Sequence, residues 1–195
     1  VRNAGLKLNI RVLTIYAVST ENFSREDSEV DYLLKLIIET MYELADDERV
    51  HKNRIHVRMI GDRELAPEQL MDAVKCVEER TKDYENYRFN IAVAYGGRQE
   101  IVSAVKEVAR KVKDGAIDIS DIDESSISGH LYTSDDPDPD LVLRTSGELR
   151  LSNFLIWQLA YSELYFTDVY WPGFRYIDFL RAIRSYQQRS RRYGT

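Results

Sequence analysis

The sequence is short of the residues that staple a fold, hold soft metals or cross a bilayer. Its only cysteine is Cys76, so no internal disulfide can form and the redox compartment is left open. Cys76 falls in a helical stretch and reads as a small packing residue. The histidines, His51, His56 and His130, are scattered; they form no metal-spaced set, and no Ser–His–Asp arrangement can be argued from their positions. No apolar run approaches the roughly 18 residues that a membrane-spanning helix needs. No signal peptide is visible at Val1. Glycine is sparse, and Gly96-Gly97-Arg98 is neither the dinucleotide fingerprint nor a phosphate-binding P-loop. Surplus positive charge is missing too. The net charge of −6 argues against a general nucleic-acid binder, since phosphate neutralisation needs a basic face.

What is present fits a globular chain, with 44% hydrophobic and 31% charged residues. Charge is unevenly spread. The tail carries Arg181, Arg184, Arg189, Arg191 and Arg192 with no acid between Arg181 and Thr195, which suggests an anion site, a subunit contact or a solvated helix face.

Strand-like and helix-like patterns alternate along the chain. Arg11–Ser19, Ile55–Ile60 and Phe89–Tyr95 read as buried strands, the second ended by Gly61 and the third by Gly96-Gly97. Val30, Leu33, Leu34, Ile37, Ile38, Met41 and Leu44 recur at helical spacing and predict one apolar helix face. Pro67 suits the start of a helix reaching Thr81. A further helix up to Gly115 is expected to bury Ile101, Val102, Val105, Val108, Ala109 and Val112. Asp118–Asp140 is acid-rich and holds a short helix near Glu124–Leu131. Leu141–Leu143 and Glu163–Phe166 are short strands, and Tyr176–Arg189 is a last helix with Phe179, Leu180, Ile183 and Tyr186 on its apolar side. The alternation predicts an α/β fold: one domain over 1–195, with a mostly parallel central sheet and helices on both faces. Ligands of such sheets bind at the carboxyl ends of the strands.

Three polar clusters fall at or beside such ends. The first is Ser19-Thr20-Glu21-Asn22-Phe23-Ser24-Arg25, whose hydroxyls, amide and guanidinium can hold a diphosphate; helix capping by Ser24 or Ser28 is the plainer reading. In the second, Arg144-Thr145-Ser146-Gly147-Glu148-Leu149-Arg150-Leu151-Ser152-Asn153, two arginine forks suit phosphate oxygens, and Ser152 or Asn153 could cap a following helix. The alternative is a surface loop. The third is Glu163 in an aromatic stretch, a carboxylate that needs either a cation such as magnesium or an arginine partner.

At these residues the chain resembles the cis-prenyltransferase family of the undecaprenyl diphosphate synthase type. Ile15 to Arg25 is similar to the family's Tyr-Ala-Phe-Ser-x-Glu-Asn-(aromatic)-x-Arg segment. Asn90-Ile91-Ala92 with Tyr95-Gly96-Gly97-Arg98, then Asp140 to Glu148 and Arg150 to Leu155, resemble later segments. Trp157-Gln158, Tyr161, Glu163 to Phe166, Trp171-Pro172 and Arg191-Arg192-Tyr193-Gly194 continue the likeness to the end.

The resemblance implies a homodimeric, magnesium-dependent enzyme that condenses isopentenyl diphosphate with an allylic diphosphate, forming a cis double bond. The product would be a long-chain polyprenyl diphosphate, a precursor of a glycosyl carrier lipid. By the resemblance, Ser19, Thr20, Glu21, Phe23 and Arg25 contact substrate, and Asn22 takes part in proton removal. Arg144, Arg150, Leu151 and Ser152 form the isopentenyl diphosphate site, Glu163 binds magnesium, and Arg192 and Gly194 reach a neighbouring subunit's diphosphate site. An unaided asparagine is a poor base, so Asn22 is expected to orient a proton acceptor such as the leaving diphosphate. The enzyme would be cytoplasmic and touch the membrane peripherally through its lipid product.

Two departures stand out. No Asp-Gly-Asn-Arg-Arg-Trp-type segment is present, so a chain starting at Val1 is expected not to turn over. Leu149 stands where some members place histidine. The rival readings are a non-catalytic partner subunit of the same fold and a generic α/β nucleotide-binding domain.

Overall fold

The computed structural model describes residues 2–24 and 27–189. The chain gathers into two compact units, Ile10–Asp136 and Val1–Asn9 with Pro137–Thr195.

The larger unit is built on three parallel strands in the order β1-β3-β2: β1 (Val12–Ser19), β2 (Ile55–Ile60) and β3 (Tyr87–Tyr95). The middle strand, β3, is almost wholly buried, as the continuous apolar run FNIAVAY requires of a strand flanked on both sides. Before β1 lies α1 (Arg2–Lys7), which the sequence did not suggest and which belongs to the smaller unit. The 20-residue α2 (Asp27–Asp46) buries Val30, Leu34, Ile37, Met41 and Leu44, the predicted stripe. Each such side chain removed from water contributes about 1.5–3 kcal/mol before entropy is counted. A short α3 (Glu48–Lys52) is capped by Asp47, whose carboxylate accepts the Arg49 N–H at 2.8 Å.

Helix α4 (Glu68–Thr81) packs on α2 and on β2, and it also protects that strand. Among the described residues strand β2 is an edge, paired with β3 alone. Its outward Val57 N–H donates to Thr81 Oγ1 at 3.1 Å and its Met59 N–H to Glu78 Oε1 at 3.0 Å. Side chains three positions apart on one helix face thus close donors that would otherwise invite another strand.

Helix α5 (Gly97–Lys113) departs from expectation. It buries Gly97, Glu100, Ala104 and Val108, while Val102 and Val105 are 53% and 48% exposed. Both stripes have helical spacing; small residues let α5 approach closely, and the buried Glu100 carboxylate finds partners inside. The short α6 (Glu124–Ser128) begins with Asp123 in a capping box.

The smaller unit holds β4 (Leu141–Arg144) parallel to β5 (Glu163–Phe166), and α7 (Tyr176–Gln188) with Phe179 and Ala182 buried. All described strand pairs are parallel. Among the described residues no helix is long and apolar enough to cross a membrane.

One polar row crosses the three-stranded sheet. Thr14, Asn90 and Arg58 are register partners. The Asn90 amide donates to Thr14 Oγ1 at 3.1 Å and to Asp136 Oδ2 at 2.7 Å, and its oxygen accepts Arg58 Nε–H at 2.8 Å. The Asp136 side chain, 2% exposed, also pairs with Arg58, and with Arg88 at 2.7 Å. Removing a carboxylate from such a cluster strands buried positive charge. Asp136→Ala is expected to cost about 3–5 kcal/mol in urea unfolding, whereas Asp135→Ala, at an exposed side chain, changes it by less than about 1 kcal/mol.

Candidate active site

The carboxyl ends of β1, β2 and β3 are all irregular. Register slips between Tyr16 and Val18 and again between Val18 and Ser19, leaving Ala17 and Ala94 as unmatched residues on their strands. Ala94 takes φ 49 while 1% exposed, a left-handed backbone that costs an alanine about 1 kcal/mol or more. At the end of β2, a Cβ on Gly61 would lie 1.9 Å from the Val93 carbonyl oxygen, so only glycine lets this turn pass so close. The next residue, Asp62, donates its N–H to the Ala94 carbonyl at 3.1 Å.

Ser19 and Asn22 grip one another across the 3-10 turn Thr20–Ser24. The Ser19 N–H and hydroxyl both donate to Asn22 Oδ1, at 2.8 and 2.9 Å, and the Asn22 N–H returns to Ser19 Oγ at 3.2 Å. This is a capping box with asparagine in the position usually held by Glu or Gln. Capping thus operates in this segment through Ser19; the Ser24 and Ser28 side chains lie outside the described set. Because a backbone N–H can only donate, the orientation of the Asn22 amide is fixed. Its oxygen takes two donors, and Nδ2 offers hydrogens to whatever it meets. Such a group suits an anionic oxygen and is not itself a base. Thr20 Oγ1 donates to Glu21 Oε2 at 3.2 Å. Glu21 is exposed, and its charge together with burial pushes the Tyr16 phenol up to about 12, burial being the larger cause.

In the smaller unit, Arg144 closes β4 and reaches along the loop that follows. Its Nη1 donates to the Arg150 carbonyl and, at 2.9 Å, to Ser152 Oγ. Arg150 pairs with Glu148. Ser146 and Gly147, each at φ 70, fold the loop back so that their N–H groups reach the Val169 and Thr167 carbonyls at 3.0 and 2.9 Å. The expected helix after Ser152 does not form. Ser152, Asn153 and Leu155 have φ of 49°, 62° and 43°, and turns occupy this stretch. Left-handed backbone at non-glycine positions breaks any helical run, so neither Ser152 nor Asn153 acts as a helix cap. Leu151 is half-buried and Leu149 is 77% exposed.

Glu163 opens β5, and its carboxylate pairs with Arg189 Nη1 at 2.5 Å. The arginine partner, one of its two anticipated environments, is therefore present. Its N–H donates to the Asp140 carbonyl at 3.0 Å. Among the described residues no group of three or more His, Cys, Asp or Glu could hold a metal. A lone carboxylate of this kind still fits magnesium, which takes one or two protein carboxylates and completes its shell with substrate phosphates and water. Arg25, Arg192 and Gly194 lie outside the described residues, as does the Phe23 side chain. The positions not singled out in the sequence are Tyr16 and Ala94, which with Gly61, read there only as the end of a strand, shape the strand ends. The glycine directly after the β2 run was the one available signal for them.

The chain matches the prenyltransferase family of undecaprenyl diphosphate synthases over residues 1–194, spanning both units. It is 54% identical over 189 residues to a tritrans,polycis-undecaprenyl-diphosphate synthase (geranylgeranyl-diphosphate specific) of Thermoplasma volcanium, covering 97% of this chain and 73% of that one. A synthase of the same name from Methanocaldococcus jannaschii is 56% identical, covering 96% and 68%. The crystal structure of lavandulyl diphosphate synthase from Lavandula x intermedia with dimethylallyl diphosphate superposes with a TM-score of 0.93 at 38% identity, covering 100% of this chain and 83% of that one. With its parallel strands, its polar strand ends and this family match along its length, the chain belongs to the cis-prenyltransferases and is a (Z)-prenyltransferase.

Proposed function

We propose that the protein elongates an allylic diphosphate with isopentenyl diphosphate units and that geranylgeranyl diphosphate is its primer, giving a long-chain polyprenyl diphosphate for use as a glycosyl carrier lipid. The observation that carries this reading is the high identity, over nearly the whole chain, to the Thermoplasma volcanium and Methanocaldococcus jannaschii synthases, which share one name and one primer. In each condensation the allylic carbon–oxygen bond breaks and diphosphate leaves. A carbon–carbon bond forms to isopentenyl diphosphate, and a proton is lost to create the Z double bond.

The chain's own residues suit these needs. Asn22 presents amide hydrogens to a diphosphate oxygen and orients it as the proton acceptor. Arg144 and Arg150, with Ser152, hold the isopentenyl diphosphate. Glu163 is the carboxylate for magnesium, whose chemistry when bound is to offset the charge on the departing diphosphate. Ser19, Thr20, Glu21, Phe23 and Arg25 line the allylic substrate, and Leu151 packs beside the isopentenyl group. The working form is a homodimer in which Arg192 and Gly194 complete the partner's diphosphate site. It is cytoplasmic and meets the membrane through its product.

The direct test is incorporation of radiolabelled isopentenyl diphosphate by the full-length protein. Geranylgeranyl diphosphate is expected to prime faster than dimethylallyl diphosphate, chelation of magnesium to abolish incorporation, and the product to be long-chain on reverse-phase chromatography. No incorporation with any allylic primer would overturn the assignment and favour a non-catalytic partner subunit.

Arg144→Lys tests the isopentenyl site. A lysine cannot bridge the Arg150 carbonyl and Ser152 Oγ while also forking onto a phosphate. KM for isopentenyl diphosphate should rise about tenfold, about 1.4 kcal/mol, with primer affinity unchanged.

A further inference from the structure

Helix α7 packs on β5, and two kinds of contact fasten it. The body of the helix is held firmly. Phe179 and Ala182 are buried, and the Tyr186 hydroxyl donates to Asp140 Oδ1 at 3.3 Å. The end of the helix is held by a single ion pair. Arg189 follows the last helical residue as the C-cap, with φ −86° and ψ 130°, and its N–H donates to the Tyr186 carbonyl at 3.1 Å. The extended ψ turns the chain out of the helix, and the sequence that follows carries Arg191, Arg192 and Gly194.

One guanidinium nitrogen makes that pair. Arg189 Nη1 lies 2.5 Å from Glu163 Oε2 and also donates to the Leu164 carbonyl at 3.4 Å. A nitrogen divided between two oxygens lacks the double grip of a forked arginine–carboxylate pair. The Arg189 side chain is 49% exposed, and pairs this open are screened by salt and readily exchanged. Glu163 is also the carboxylate assigned to magnesium. It carries one negative charge, so a guanidinium and a divalent cation on it together would leave positive charge in excess and in close contact. Magnesium, with its demand for short, well-placed oxygen ligands, is the stronger claimant.

We propose that Arg189 is a latch on the metal-binding carboxylate: its guanidinium and magnesium compete for the oxygens of Glu163, and metal binding releases the end of α7. The proposal rests on the assignment of Glu163 to magnesium made above. The buried side chains and the Tyr186–Asp140 bond keep the rest of the helix in place when the latch opens. Loading of the metal is thereby coupled to the chain segment that begins at Arg189.

The test uses the full-length protein with Mn2+ alone as the probe, read by loss of the free-ion EPR signal, so that no turnover is involved. Arg189→Gln is expected to raise Mn2+ affinity about fivefold, the factor that a half-exposed ion pair is worth. In Glu163→Gln the same substitution should change nothing, because the group competed for is gone. Arg184→Gln removes the same charge from elsewhere on α7 and should shift affinity by less than about twofold. Hydrogen exchange gives a second readout. Mg2+ should speed exchange of the Arg189 amide in the wild type and leave the amides of Phe179 and Ala182 as they were.

Weaker Mn2+ binding by Arg189→Gln overturns the proposal and makes Arg189 an orienting partner of the metal ligand. Unchanged affinity overturns it too, as does a gain that survives in Glu163→Gln or is matched by Arg184→Gln. An Arg189 amide that Mg2+ slows or leaves alone has the same force. Absent Mn2+ binding, or binding that Glu163→Gln does not weaken, overturns instead the assignment of Glu163 to the metal, and the latch with it. That result is seen before Arg189 is changed.

Discussion

Asn90 sits in the middle strand of the parallel sheet with no exposure to water, and a buried carboxamide has to find partners for its donors and its acceptor. It finds them sideways, in Thr14 on one neighbouring strand and Arg58 on the other, and in Asp136. A slip of a single residue in either pairing would turn this row toward the wrong face and leave the amide, the guanidinium and the carboxylate unpaired. Strand register in the larger unit is therefore held by polar satisfaction as well as by apolar burial. Everything at the carboxyl ends inherits its position from that register.

Those ends are where regular pairing is given up. The strands match residue for residue from Val12 to Tyr16 against β3, and then lose step twice before Ser19. The bulges cost ladder hydrogen bonds and force a left-handed alanine. In return the Tyr16 hydroxyl reaches the Tyr95 carbonyl, and the strand end passes into the turn where Ser19 and Asn22 cap one another. Strained backbone of this sort persists only where the surroundings over-determine it. Here the Gly61 turn and the Tyr95–Glu100 bond do so.

The charged groups of the smaller unit are held more lightly. Arg150 and Glu148 have side chains 64% and 43% exposed, and such a pair is worth at most about 1 kcal/mol. Glu163 and Arg189 are less open, at 24% and 49%, but both still touch solvent. These pairs keep the side chains oriented without locking them. The Asp136 carboxylate of the larger unit, by contrast, is 2% exposed and all but closed to water.

Much of this was readable along the chain. The strands stand out because buried parallel strands are continuous apolar runs, and the α2 face because a single stripe of large side chains admits one orientation. The polar segments at Ser19, Arg144 and Glu163 were visible as charge and hydroxyls after apolar runs, and together they point to the family. The α5 face was not readable, because it carries two stripes of helical spacing and only contact with the rest of the unit selects the one with Glu100. Nor was the loss of the helix after Ser152, or the meeting of Tyr16 with Tyr95. Both depend on left-handed residues and bulges, and single-residue propensities do not encode these. Local spacing determined the elements and the kinds of chemistry they carry. Which side chains meet was decided by the tertiary structure, because a displaced register or one residue of unusual φ redirects every side chain beyond it.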